Sequence, residues 1–245
     1  MARIRPLRNP PITEALVDFR VALPVQARAD AFAALGEILG SRFPQSSPIV
    51  SLAAHFTVGG SRAPSQEQAL HGYMFKSSDG LDIAQFRLDG FTFNRLKPYP
   101  GWEAFFSQAL DLWYLYLKMA SPEAVTRVAV RYINHLTLPA VPGDLSAFLT
   151  VPPTLPGTVP GRLTGFVSRL NVHDSESGLS AYVTQACEGG AEPGSLTVTL
   201  DIDSYRISTT PQDSDDWFLT FPVLRGFKNS LFFGSITEHT AEIYE

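Results

Sequence analysis

The stretch LDIAQFRLDGFTFNRLKPYPGWEAFFSQALDLWYLYLKMA, residues 81–120, carries both kinds of regular structure across a single corner. As far as Arg95 it alternates apolar and polar residues, the period of a half-buried strand. Lys97-Pro98-Tyr99-Pro100-Gly101 then breaks the run, because each proline lacks a backbone donor and has a fixed φ. Beyond the corner the period changes. Trp102, Phe105, Phe106, Ala109, Trp113, Tyr116 and Leu117 fall on one helical stripe, with Glu103, Gln108, Asp111 and Lys118 elsewhere. A strand that turns directly into a long amphipathic helix points to a sheet with helices packed on it, the α+β class.

Upstream of this stretch, PPITEALVDFRVALP (residues 10–24) reads as a strand, with Val17, Phe19, Val21 and Leu23 on one side and Glu14, Asp18 and Arg20 on the other. Residues 26–40 place Phe32, Leu35, Ile38 and Leu39 at helical spacing before Gly40. Strands are expected near 49–58, 68–77 and 81–95. Downstream, VTRVAVRYINHLTLP begins a second series: a short helix over 144–149, a proline-rich connection that reads equally as linker or surface loop, and strands at 163–172, 180–187 and 195–208. A helix within 214–233 follows, with Pro222 either in its first turn behind Thr220 or kinking it.

Both halves thus read strand, helix, three strands, helix. VALP at 21–24 answers LTLP at 136–139, FRLDGFTF at 86–93 answers VTLDIDSY at 198–205, and Trp102 answers Trp217. The expected architecture is one domain over residues 1–245, built of two β-α-β-β-β-α pseudo-repeats at about 10–120 and 124–240. They join in a mostly antiparallel sheet with its helices on one face, and the other face is left open.

Period-two alternation assigns side chains to that open face. It receives Glu14, Leu16, Asp18 and Arg20 from the first strand, and Arg127, Arg131, Ile133 and His135 from the strand after residue 124. It also receives Gln85, Arg87, Asp89, Phe91, Phe93 and Arg95, and then Thr197, Thr199, Asp201, Asp203 and Tyr205. A bulge at Gly90 would instead send Phe91 and Phe93 to the core, and Asn134 falls on the core side, where it needs hydrogen-bond partners. Arginine, aspartate and aromatics together are the composition of binding surfaces, although the same charges also pair across neighbouring strands.

The candidate ligand- or partner-binding residues are therefore Arg87, Asp89, Arg127, Arg131, His135, Asp201, Asp203 and Tyr205. The partner is a small molecule or a protein, including a second copy of the chain. Asp201 and Asp203 share a face at a separation compatible with acid–base chemistry, so a hydrolase is the alternative, and a structural subunit of a larger assembly is a third. Binding is read ahead of catalysis.

No nucleotide-binding glycine motif, nucleophile elbow or clustered His/Cys spacing occurs, so neither cofactor nor metal is expected. The net charge of −5 argues against nucleic acid. The arm carrying Arg3, Arg5 and Arg8 reads as a solvated terminus. Cys187 is the single cysteine and reads as a core residue. With no apolar run of membrane-spanning length, a cytoplasmic protein is expected. Arg225 and Lys228, within one helical turn, either attract an anion or complement the helix dipole, and the second reading is preferred.

PPITEAL, the helix opening WEAFFSQA after FRLDGFTFNRL, VRYINHLTLP and the closing LRGFKNSLFFGSITE together resemble a sporadically distributed family of uncharacterised bacterial proteins of about this length. The resemblance spans most of the chain and implies accessory genes rather than core metabolism, with no activity to transfer. At the level of architecture alone, the tandem arrangement resembles duplicated effector-binding domains that hold small molecules between their halves.

Overall fold

The computed structural model describes residues 1–55, 65–139, 145–158, 160, 163–188, 195–211 and 216–245. Nine antiparallel strands form one sheet: β1 (Ile12–Ala22), β2 (Gln45–His55), β3 (Ser65–Lys76), β4 (Asp82–Arg87), β5 (Gly90–Leu96), β6 (Ala124–Pro139), β7 (Phe166–Asp174), β8 (Leu179–Glu188) and β9 (Ser195–Pro211). Their order across the sheet is β2-β3-β4-β5-β1-β6-β9-β8-β7. The helices are α1 (Leu35–Leu39), entered through a 3-10 segment at Ala29–Ala34, then α2 (Trp102–Ala120), α3 (Asp216–Ser235) and α4 (Glu238–Ile243).

The core lies between the sheet and α2 and α3. Alternation in β1 buries Ala15, Val17 and Phe19, β6 contributes Val128, Val130 and Tyr132, and the α2 stripe from Trp102 to Tyr116 meets them. Phe19 is the hub. Its ring stacks on Trp113 at 3.9 Å and meets Trp217 edge-on at 5.5 Å, so the first strand ties α2 to α3. A second cluster, with Leu136, Leu138, Val198, Leu200, Phe232 and Phe233, fills the space under the C-terminal half of α3. Cys187 is buried in it, and burial pushes its thiol up from the ordinary range.

The single strand expected over 81–95 is a hairpin, because Leu88 and Asp89 form a two-residue turn between β4 and β5. Gly90 has φ +148°, and a Cβ there would lie 1.9 Å from the Phe19 carbonyl oxygen, so glycine alone lets β5 lie against β1 at this point. Cross-strand partners share a face, and Phe86 is paired with Phe91 and Ala84 with Phe93. Phe91 and Phe93 are therefore fully buried, correcting their assignment to the open face. Arg95 goes with them to the helix side, where it pairs with Asp82 at 3.0 Å, and Thr92 and Asn94 face the other way.

Three other expectations change. Residues 145–149 form a turn and a bridge from Leu149 to Ile236 rather than a helix, and Asp144 lies outside the described residues. The correspondence of 86–93 with 198–205 sets a hairpin turn against the middle of β9, which runs unbroken. Of the two placements open to Pro222, the one inside the helix holds, since it lies well within α3.

The N-terminal arm is the third correction, since it is docked rather than solvated. The Ala2 amide donates to the carbonyls of Phe233 (3.0 Å) and Ile236 (2.9 Å), and Asn9 donates to Tyr244 (3.0 Å). The end of α3 leaves carbonyls without intrahelical donors, and the arm supplies them.

Candidate functional site

The uncovered sheet face holds a charge network assembled from five adjacent strands, β4, β5, β1, β6 and β9. Arg87 donates to Asp89 (2.9 Å), Gln85 (2.8 Å) and Thr92 (2.9 Å), and approaches Asp18 at 3.4 Å. Thr92 donates to Asp18 at 2.7 Å, and Arg20 bridges Asp18 and Asp89. Arg127 reaches Asp18 at 3.0 Å and grips both oxygens of Asp203 at 2.9 and 2.8 Å. Arg131 holds Asp201 through two nitrogens, Nε and Nη2, one to each carboxylate oxygen, at 2.8 and 2.6 Å.

Four arginines thus face four aspartates, and the field largely cancels within the face. Burial nevertheless raises the Asp203 carboxyl above its usual range, against the pull of Arg127. Tyr205 stacks on Tyr182 at 5.5 Å, with Arg127 over Tyr205 at 4.5 Å and Arg169 over Tyr182 at 4.3 Å. His135 is exposed on β6, in register with Thr199. The structure thus brings Arg87, Asp89, Arg127 and Asp203 into one cluster, sets Arg131 and Asp201 beside it as a separate pair, and leaves His135 apart.

Replacing Arg127 by alanine takes one donor from Asp18, which keeps Arg20, Arg87 and Thr92, and takes the guanidinium from the half-buried Asp203. Urea titration is expected to show a loss of about 2 kcal/mol, the worth of hydrogen bonds to charged groups. Arg127→Lys recovers only part of it, because one ammonium replaces the two nitrogens with which the guanidinium joins Asp18 to Asp203.

A different site lies on the helix side, where β6, the corner before α2, the middle of α3 and the N-terminal arm enclose a cavity of about 570 Å³. Its floor is Tyr132 and Asn134 of β6 and Ile12 of β1. Asn134 is the core-side polar residue that alternation exposed as a problem, and it is satisfied by donating to the carbonyls of Tyr132 (3.3 Å) and Leu200 (3.0 Å). The Tyr99 and Tyr132 hydroxyls are hydrogen-bonded to each other at 2.8 Å. Burial raises both phenols above their ordinary value, so both stay neutral at physiological pH.

Gly101, with φ +100° at the N-cap of α2, carries no side-chain acceptor. The first turn of the helix, Trp102 and Glu103, lines the cavity with its partly positive end. Arg225 of α3 lies over the Trp102 ring at 5.3 Å and reaches Glu103 at 3.4 Å. Arg5 and Arg8 line the side formed by the arm, and Arg5 is tied to Glu238 and Glu245.

Lys228 is the exceptional residue of this cavity. It is 9% exposed, its Nζ lies 3.8 Å from the centre of the Tyr132 ring, and it makes neither a hydrogen bond nor an ion pair among the described residues. Burial, helped by the nearby Arg225 charge, lowers its pKa to about 7. Four basic side chains and one acidic one line the cavity of a chain whose net charge is −5.

No family model, no curated protein and no solved structure matches this chain. The site is therefore read from its own geometry. Among the described residues no group of three His, Cys, Asp or Glu is placed to hold a metal ion, and no helix is long and apolar enough to cross a membrane. Residue alternation did not reveal the cavity, because four segments distant in sequence build it. Its traces were the Lys-Pro-Tyr-Pro-Gly corner, read as architecture, and the pair Arg225 and Lys228, read as serving the helix dipole.

Proposed function

We propose that the protein binds a small anionic molecule with an apolar or aromatic body in the cavity around Lys228. One observation carries this reading: a buried amine facing a cavity without any hydrogen-bonding partner. An unpaired buried cation is costly, and a ligand anion would supply what the fold withholds. Arg225 and the first turn of α2 offer further donors to the same anion, and Tyr99, Trp102 and Phe232 offer apolar walls. A volume of about 570 Å³ suits a small molecule and is too small for a folded partner.

The test uses 8-anilinonaphthalene-1-sulfonate, an aromatic anion whose fluorescence reports binding. Lys228→Met and Arg225→Ala are each expected to weaken it about tenfold, the worth of one charge-assisted contact. Arg127→Ala and Arg131→Ala on the opposite face should leave it unchanged. Equal affinity for Lys228→Met and the unaltered protein would sink the reading.

A second reading places a small molecule, a protein or a second copy of the chain on the uncovered sheet face, favoured by the ladder Arg127, Tyr205, Tyr182, Arg169. Light scattering of Arg127→Ala, and binding assays on it, address this reading separately. The hydrolase reading draws no support from Asp201 and Asp203, whose oxygens are both engaged by arginines. We also propose that the two halves are a duplication. β1 and β6 lie together at the middle of the sheet, flanked by β5 and β9, and each flanking strand leads to a long helix that opens with a buried tryptophan.

A further inference from the structure

The cavity around Lys228 has the parts of a carbonyl-capturing site. An amine that is already hydrogen-bonded or salt-bridged has its lone pair or its proton committed, and Lys228 is neither. Arg225 sits three residues earlier on the same helix, which places it on the same face, and it lines the cavity with the first turn of α2. A carboxylate held by those two groups would bring the rest of a short molecule towards the amine. The mutually bonded hydroxyls of Tyr99 and Tyr132 line the same space and remain protonated, a neutral pair able to pass a proton.

We propose that Lys228 binds 2-oxo acids and related carbonyl-bearing carboxylates covalently, as a reversible imine in this cavity. The inference rests on the anion-binding reading above and names its ligand class. The Nζ lone pair attacks the carbonyl carbon, and a proton passes from nitrogen to the former carbonyl oxygen to give the carbinolamine. Protonation of that hydroxyl releases one water as the C=N bond forms. No electrons are exchanged with any other molecule, and hydrolysis returns the free amine. The lowered Lys228 pKa supports the chemistry, because a large share of the amine is unprotonated near neutral pH.

The sequence favours a clean experiment, since the only other lysines are Lys76, Lys97 and Lys118. The intact protein is incubated with phenylpyruvate, reduced with sodium cyanoborohydride and examined by intact and peptide mass spectrometry. Expected is a single adduct, of ligand mass less one oxygen, on Lys228. The initial trapping rate on Lys228, with reagent decay corrected, should fall nearly tenfold per pH unit well below pH 7, following the neutral amine. Lys228→Arg should lose the adduct while retaining binding of the anilinonaphthalene sulfonate.

Adducts spread evenly over the four lysines, or none on Lys228, would overturn the imine. If trapping fails while Lys228→Met still weakens the fluorescent anion, the imine is refuted and the anion cavity stands. If neither effect appears, both readings fall.

Discussion

Lys228→Met is expected to stabilise the protein by about 3 to 5 kcal/mol below pH 7, and to abolish part of its pH dependence. In the unfolded chain the amine titrates at its ordinary 10.5, and in the fold at about 7. Between these values the unfolded state binds the additional proton, so this residue makes stability rise with pH. Below about 7 both states are protonated and the full penalty applies, whereas above 10.5 neither is and the penalty vanishes.

A shift of this size corresponds to about 5 kcal/mol. Attraction of the ammonium to the Tyr132 face, about 2 kcal/mol for a desolvated pair, offsets some of it. The groups around the amine are Tyr132 below, Arg225 on its own helix, Tyr99 at the corner, Glu103 on α2, and Arg5 and Arg8 on the arm. All remain in the variant, so the difference between the two proteins isolates Lys228. Guanidinium titrations at pH 6 and pH 9.5 provide the measurement, and parallel curves with equal offsets at both pH values would refute the assignment. Stability gained where binding is lost is the usual relation at a site whose strain serves a ligand.

Phe19→Ala is expected to cost about 3 to 5 kcal/mol, the range for deleting a buried aromatic ring. The position is fully buried in the central strand β1 and cannot collapse onto a neighbour. Trp113 stacks on it at 3.9 Å, while Trp217 and Phe221 meet it at 5.5 and 5.2 Å. Removal of the ring opens a void between α2, α3 and the sheet at once, and also deletes four aromatic contacts, the fourth being Phe91 at 6.4 Å. Phe19→Leu should recover most of the loss, because it restores volume without the ring geometry. A cost below 1 kcal/mol by equilibrium denaturation would show that the helices are not tied through this residue.

The sheet and its covered face were legible wherever one strand kept one period. Val17 and Phe19, Val128 and Val130, and Asp201, Asp203 and Tyr205 all lie on the faces that alternation assigned to them. Alternation breaks at Leu88-Asp89-Gly90, where a two-residue turn reverses the chain inside an otherwise regular pattern and carries Phe91 and Phe93 to the core. Parity holds only along a continuous strand.

The α2 stripe was legible because its burial is set by one element's own period. The cavity was not, since Tyr99, Tyr132 and Lys228 come together only after β6 is placed beside β1 and α3 is laid across both. Asn134, a polar residue on a core face, was the local sign that something other than packing occupied that region.

The order of strands in the sheet differs from the order in which a ribosome makes them. β1 is synthesised first yet occupies the interior, with β5 on one side and β6, from residue 124 onward, on the other. Until those strands emerge, Ala15, Val17 and Phe19 have no sheet to join and Phe19 has neither tryptophan to meet. Pairings so distant in sequence form slowly because loop closure precedes their reward. The nascent first half therefore presents β1 with one edge unpaired until β6 emerges.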